Sequence, residues 1–419
     1  MTPSDPRLTV EFQRFALENG TTLIVTPVSD TALVAVNMLY RTGARDEDPE
    51  MTGLAHLMEH LMFSGTPRYP AYDLPIASVG GVNNAFTNQD FTNYYIVLPA
   101  DQLTLAIDLE TDRMANLELT DKSVALQKDV VVEEFRQRYL NQPYGDLYHM
   151  LADAAWKKHP YRWPTIGLKP EHIQQATTNH VKSFYRQHYH PGNLIVSVAG
   201  NVKPDQVYEQ VNNMLKDAPP ATGGGSTYPA EPTKGRAVKV EVKKSVPASF
   251  LAIAFPVPES SHQHFTGLGF LADILGQGII SRLHTALVRE KKVFTRISAG
   301  LTGTRDPGLF NISGLLHAET NSHQAVEAVQ QVIQEFAQSG PTKDEMLAVV
   351  NGLITQTLYK RTQVMNLALE LAVAEFESHA NSVNEMISKA LEVTPNHLKW
   401  LAESYLDPEN RIEIHYLKS

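Results

Sequence analysis

The chain of 419 residues exceeds one ordinary domain, and its apolar fraction of 42% is typical of a globular protein with packed cores. It has no cysteine, which excludes disulfides, thiolate metal sites and cysteine nucleophiles. The formal charge of −10 disfavours nucleic acid as a partner, and no apolar run is long enough to predict a membrane span. The first residues lack the basic and apolar regions of a secretory signal, so we expect a cytoplasmic protein and leave the periplasm open.

The first half of the chain alternates predicted strands with predicted helices. Short β-rich runs between polar turns predict strands, whereas longer amphipathic patterns predict helices. Strands are expected at 21–28, 32–40, 82–87, 93–98 and 194–199, and helices at 102–117, 121–140 and 171–189. The mixed charges of 41–50 indicate a solvated loop.

The segment His56-Leu57-Met58-Glu59-His60 carries the clearest chemical signal. Residues four apart on a helix lie on one face, so the two imidazoles can reach a single metal ion. Glu59 lies close enough to touch a water on that metal without being a ligand. The order H-x-x-E-H is the inverted form of a zinc peptidase motif, and it predicts a metal-dependent hydrolase.

A Pro- and Gly-rich segment, 218–236, has the composition of a linker and separates two halves that resemble each other. Thr52–Leu61 aligns with Thr266–Leu275, and a second aligned pair, Asn179–Lys182 with Asn396–Lys399, follows in the same order. In the second copy the positions of the two histidines hold Phe270 and Ile274. Folding of this helix therefore does not require the histidines.

Two such halves predict an α+β protein with two homologous domains in tandem, each a largely antiparallel sheet covered by helices. The metal-bearing catalytic domain is predicted at 1–217, and a homologous domain that lacks the metal ligands is predicted at 237–419.

A tetrahedral zinc site needs a third protein ligand beside the two histidines. The candidates are Glu133 and Glu134, on the helix predicted at 121–140. Adjacent helical residues point about a hundred degrees apart, so at most one of the two can face the metal comfortably.

These residues, together with the segment Gly80–Thr87, resemble the pitrilysin family of zinc peptidases, in its half-length subgroup that includes the mitochondrial processing peptidase and its bacterial relatives. The resemblance implies one Zn²⁺ per chain and favours Glu134 over Glu133 as the third ligand. It implies that Glu59 is the general base and that the edge strand with Asn84, Ala85, Phe86 and Thr87 receives the peptide by strand addition.

The chain departs from the family pattern in two places. Seven residues before Glu134 the family usually has a glutamate, and here Gln127 would hydrogen-bond a ligand without adding charge. Active relatives carry an Arg and Tyr pair in the second half, but here Arg289 is followed by Thr295 at the tyrosine position. The resemblance therefore implies a zinc endopeptidase subunit that pairs with a homologous chain without the metal, which supplies the Arg and Tyr pair.

Two alternatives remain open at this point. The chain could be a non-catalytic scaffold subunit of the same family, or a self-sufficient homodimeric peptidase. His262 and His264 precede a helix and are interpreted as capping or surface groups rather than as a second metal site.

Overall fold

The computed structural model describes residues 8–216, Ala218, Tyr228, Glu231 and 237–419, so most of the predicted linker lies outside the described residues. The strands of this part of the chain form two sheets, one from each half of the sequence. The first sheet contains β1 (Gln13–Ala16), β2 (Thr22–Pro27), β3 (Leu33–Tyr40), β4 (Val82–Thr87), β5 (Thr92–Pro99) and β6 (Leu194–Gly200). The second contains β7 (Val238–Lys244), β8 (Phe250–Val257), β9 (Phe294–Leu301), β10 (Gly308–Leu316) and β11 (Ile412–Lys418).

Apart from the edge strand β1, the two sheets share one topology. The strand order is β1-β2-β6-β3-β5-β4 in the first and β7-β11-β8-β10-β9 in the second. Each sheet has one parallel pair, β2 with β6 and β7 with β11, and its other pairs are antiparallel. The predicted fold class, two homologous α+β domains with largely antiparallel sheets, is confirmed.

Helices follow the strands in each half. Those of the first half are α1 (Leu54–Leu61), α2 (Asp73–Ser78), α3 (Leu103–Asn116), α4 (Asp121–Phe135), α5 (Leu147–Ala155), α6 (Pro170–Gln175), α7 (Thr178–His188) and α8 (Pro204–Leu215). Those of the second half are α9 (Phe265–Gly276), α10 (Ser322–Ser339), α11 (Lys343–Arg361), α12 (Val364–Glu377), α13 (Ser382–Leu391) and α14 (Pro395–Tyr405). Among these described helices, none is long and apolar enough to cross a bilayer.

The helix expected at 171–189 is two helices, α6 and α7, so that prediction was wrong in its extent. The break has a local cause, because Thr177 is extended and its hydroxyl accepts the N–H of His180 at 3.2 Å, which begins a new helix. The second half repeats this cap, since the Thr394 hydroxyl accepts the N–H of His397 at 3.2 Å. The aligned segments Asn179–Lys182 and Asn396–Lys399 therefore occupy equivalent places in the two halves.

The described residues form two compact units, and neither is one stretch of sequence. The first contains 8–135, 163–216 and 356–385, whereas the second contains 136–162, 237–355 and 386–419. The boundaries predicted along the chain, 1–217 and 237–419, describe the duplicated sequence and stay a prediction.

Each unit has a helix from the other half of the sequence against its sheet. In the first unit, α12 buries Leu367, Ala368 and Leu371 in one core with Ile24 and Ile195 of the sheet. In the second unit, α5 contributes Leu151, Ala152 and Ala155 to a core that includes Ala254, Ile412 and Ile414 of the sheet. Full burial of a leucine or isoleucine contributes about 1.5–3 kcal/mol, so these helices are integral to the units.

Candidate metal centre

The residue before the motif helix α1 is a glycine, and both its backbone conformation and its surroundings exclude a side chain. Gly53 has φ 94°, in the left-handed region, and a side-chain carbon there would lie 2.6 Å from Ile173 Cδ1. The carboxylate of Glu47 accepts the N–H groups of Gly53 and Ala55, each at 2.8 Å, and so caps the helix. The residue before the first histidine of the motif is thereby held in place.

Glu47 is buried, so the prediction of a solvated loop at 41–50 was wrong at this residue. Burial raises the pKa of Glu47 to about 8, although the N–H groups of Gly53 and Ala55 act in the opposite direction. Arg45 of the same segment forms an ion pair with Asp90 at 2.9 Å. Of these charges, Glu47 holds the start of α1, whereas Arg45 pairs with a residue outside that helix.

Helix α1 is amphipathic: its leucines face the core and its two histidines lie on a partly exposed face. Leu54, Leu57 and Leu61 are buried, whereas His56 and His60 stay 12% and 24% exposed. The two imidazole rings lie one turn apart, with their centroids separated by 4.8 Å. Both rings are therefore on one face of the helix, as the motif spacing predicts.

Glu134, on α4, faces both imidazoles. Its Oε1 lies 3.9 Å from His56 Nε2, and its Oε2 lies 3.5 Å from His60 Nε2. Among the described residues, these three form the one group of three or more His, Asp or Glu whose ligand atoms lie within 4.8 Å of one another. The neighbouring Glu133 is exposed on another side of α4. Of the two acids, Glu134 is therefore the one that the structure brings to both imidazoles.

Buried contacts and one lysine position α4. Val131 and Phe135 are buried beside the two acids. The ammonium group of Lys128 donates to the carbonyl oxygens of Gln174 and Ala176, each at 2.7 Å, and so ties the helix to the end of α6. The carboxylate of Glu134 therefore projects from a fixed helix.

The donor set fits a zinc ion. Zinc bonds of about 2.0–2.2 Å to nitrogen and oxygen place tetrahedral ligand atoms roughly 3.4 Å apart. The two imidazole–carboxylate distances, to different oxygens of Glu134, are 3.9 and 3.5 Å, and one ligand atom from each of the three residues lies within 4.8 Å of the others. Two imidazoles and a carboxylate leave one coordination position open, which is the arrangement of catalytic rather than structural zinc sites.

Glu59 lies outside this cluster of ligand atoms. Its Oε2 accepts a hydrogen bond from the Thr87 hydroxyl at 2.5 Å. Thr87 is the last residue of β4, so the carboxylate beside the metal cluster is tied to the end of a strand. The sequence predicted a role for each of these residues but not the bond between them.

Strand β4 lies at the end of its sheet, with β5 as its neighbour, and the described residues place no strand on its other edge. Of the four residues predicted to bind substrate, Ala85 and Thr87 alternate with Asn84 and Phe86 across the two faces of the strand. The Phe86 ring packs on Phe91 at a centroid distance of 5.8 Å and joins the core of the unit. Phe86 therefore anchors the strand, which offers its backbone along the open edge.

The remaining predicted residues are placed as follows. Gln127 is partly buried on α4, two turns before Glu134. Arg289 is exposed, and the Thr295 hydroxyl donates to the Leu315 carbonyl of the neighbouring strand at 3.2 Å. His264 Nδ1 lies 3.2 Å from His397 Nε2, which is a hydrogen-bonding distance.

The equivalent helix of the second half has a different chemistry. On α9, Phe270 and Ile274 stand at the two histidine positions and are 4% and 5% exposed. They belong to the apolar core of the second unit. The same helix thus buries apolar side chains in one half and exposes imidazoles in the other.

Two family models match consecutive parts of the chain. Insulinase (Peptidase family M16) matches residues 23–169, which include the clustered His56, His60 and Glu134. Peptidase M16 inactive domain matches residues 175–353, which include α9 and its apolar replacements.

Two relatives of similar sequence carry names that describe them as zinc proteases. Zinc protease PqqE of Helicobacter pylori is 31% identical over 328 residues, which cover 76% of this chain and 72% of the relative. YmxG of Bacillus subtilis, described as an uncharacterized zinc protease, is 24% identical over 340 residues, which cover 80% of each chain.

Solved structures share the fold over almost the whole chain. A protease from Helicobacter pylori matches with a TM-score of 0.91 and 24% identity, covering 97% of this chain and 100% of the other. Pitrilysin matches with a TM-score of 0.78 and 18% identity, covering 98% of this chain but 45% of its own. With both halves matched by family models and PqqE matched over most of its length, the chain belongs to peptidase family M16, the insulinase or pitrilysin family, as a half-length member.

Proposed function

We propose that this chain is the metal-bearing subunit of a zinc-dependent endopeptidase that cuts peptides or unfolded segments. The observation that carries the proposal is the convergence of His56, His60 and Glu134, with Glu59 beside them and outside the ligand set. A structural zinc site would fill all four positions with protein ligands, whereas this set has three.

Each side chain then has a defined task. When bound, zinc acidifies a water and polarises the carbonyl of the bond to be cut. His56, His60 and Glu134 hold the ion. Glu59 takes a proton from the attacking water and passes it to the amine of the leaving peptide. This pairing of two imidazoles and one carboxylate with a separate acid–base carboxylate is known in zinc peptidases.

The open edge of β4 is the proposed place for the substrate. An extended peptide added to this edge would form main-chain hydrogen bonds with Asn84–Thr87 and would run next to Glu59, which Thr87 contacts. Main-chain recognition favours extended or unfolded segments, because the added segment must itself be extended with its backbone N–H and C=O groups free to pair.

We further propose that a homologous chain without the metal ligands pairs with this one, encloses the substrate and supplies an Arg and Tyr pair. Arg289 has no tyrosine at the family position, and the Thr295 hydroxyl there is already bonded to the neighbouring strand. Pitrilysin and the periplasmic protease PqqL of Escherichia coli are about twice as long as the matched region. Two half-length chains would reach that size.

The test is a peptide-library digest read by mass spectrometry, with the zinc-loaded chain alone and with the proteins that co-purify from its native source. We expect cleavage only when a homologous partner is added, and no cleavage with Glu59→Gln. Cleavage by the chain alone would favour the homodimeric peptidase. A chain that binds no zinc at micromolar metal would favour the scaffold subunit, and zinc binding without cleavage in any mixture would contradict the peptidase.

A further inference from the structure

The hydroxyl of Thr87 makes a short bond to the proposed base. Thr87 Oγ1 lies 2.5 Å from Glu59 Oε2, and the contact is partly buried. An ionised carboxylate only accepts hydrogen bonds, so the hydroxyl is the donor. Bonds of this kind between a hydroxyl and a carboxylate are shorter and stronger than bonds between neutral groups.

Thr87 is itself held by the sheet. It pairs with Thr92 of β5 in the strand register, and the two hydroxyl oxygens lie 3.5 Å apart. The buried Thr92 hydroxyl donates to the Thr42 carbonyl at 2.9 Å, so its proton is already used. As a β-branched residue, Thr87 has few rotamers open to it. Thr92 can then only accept a bond from Thr87, and its oxygen is the more distant acceptor at 3.5 Å. The Thr87 proton therefore goes to Glu59 Oε2, at 2.5 Å.

We propose that Thr87 is a positioning residue for Glu59. Its hydroxyl fixes one carboxylate oxygen, so the acid–base group takes its orientation from strand β4 rather than from helix α1 alone. This inference rests on the proposed peptidase function. It implies that strand β4 both receives the peptide and positions Glu59. Thr87 would then fix the position of the base relative to the bound peptide.

The family resemblance implies that Thr87 binds substrate, and such a role differs from a positioning role in its kinetics. A hydroxyl has one proton to donate, and here Glu59 receives it. Loss of a substrate contact would raise KM, whereas loss of the orientation of the base would lower kcat and leave KM in place.

The test combines kinetics with stability. In the active complex, Thr87→Val should lower kcat by roughly 10- to 100-fold at unchanged KM and unchanged zinc content, because misplaced catalytic groups cost factors of this order. Thr87→Ser keeps the hydroxyl and should restore most of the rate. Thr26→Val is the matched control, since the buried Thr26 hydroxyl has no hydrogen-bond partner among the described residues.

Unfolding by urea in the presence of a chelator supplies a readout that needs neither metal nor activity. We expect the substitution Thr87→Val to lower the urea midpoint more when it is made in the wild type than when it is made in the Glu59→Ala variant. Additive midpoint shifts, a raised KM at unchanged kcat, or a serine variant as slow as the valine variant would overturn the positioning role. A wild type that is inactive in every mixture would instead overturn the peptidase proposal, and with it any catalytic role of the pair.

Discussion

The carboxylate of Glu134 lies 3.5 Å from the imidazole of His60, although the two residues are on different helices and 74 positions apart. The contact joins α1 to α4, and buried residues hold both helices. In the second half of the chain, Phe270 and Ile274 occupy the histidine positions and pack into a core. Packing of this helix in the second half therefore favours apolar side chains. The histidines of the first half call for another explanation, and the proposed zinc site would supply one.

We predict that Glu134→Gln lowers zinc affinity by at least about tenfold, because a neutral amide is a much poorer zinc ligand than a carboxylate. The matched control is Glu133→Gln, which changes the same chemical group at an exposed position of the same helix. Competition with a chromophoric chelator measures both affinities. Equal affinities in the two variants would remove Glu134 from the site.

For Glu59→Gln we expect retained zinc and a loss of turnover of about 10²–10⁴-fold, because an amide cannot take up the proton of water. Elemental analysis of the purified variant checks the metal, and the peptide digest checks the rate. Unchanged turnover would contradict the role of Glu59 as the acid–base group.

Removal of the Glu47 carboxylate should weaken both the fold and the metal site. In Glu47→Ala, the buried N–H groups of Gly53 and Ala55 lose their acceptors, at a cost of about 1–3 kcal/mol for a buried group left unpaired. We expect a lower urea midpoint and weaker zinc binding, since His56 follows directly. Glu50→Ala, at an exposed residue of the same segment, should change neither. Equal urea midpoints and equal zinc affinities for Glu47→Ala and Glu50→Ala would exclude the capping role of Glu47.

The stability of the chain should fall in mild acid because of His188. Burial lowers the pKa of this imidazole to about 4, and its Nδ1 lies 2.9 Å from the Thr42 hydroxyl. In the unfolded chain the imidazole is protonated near its ordinary pKa of about 6.5. In the folded chain it is protonated only near pH 4. The nearby Asp46 opposes this shift and His190 adds to it. The neutral ring therefore stabilises the fold above pH 6.5, and this contribution, of about 3 kcal/mol, is lost as the pH falls towards 4.

Urea midpoints at pH 7 and pH 5, measured with a chelator present, test this linkage. The midpoint of His188→Gln should lie below that of the wild type at pH 7, and the gap should narrow at pH 5. A gap for His188→Gln that is the same at pH 7 and pH 5 would contradict the prediction.

Local pattern was enough to predict the strand pairs and the motif helix, because alternating β-rich runs and helical spacing are properties of neighbouring residues. Glu134 needed the family register, since nothing local distinguishes it from Glu133. The contacts of Glu47 and Thr87 were missed because their partners lie on other elements, and Glu47 looked like one more charge in a polar segment. The break before α7 was missed because a Thr with His three residues later is not the usual capping pair, in which the later residue is Glu or Gln.

The most direct measurement of the central claim is a crystal structure of the zinc-loaded chain with anomalous diffraction recorded at the zinc edge. We predict one strong peak within about 2.0–2.2 Å of His56 Nε2, His60 Nε2 and a carboxylate oxygen of Glu134. A zinc-soaked crystal with no peak between these three side chains, or with a peak that Glu134 does not reach, would contradict the account.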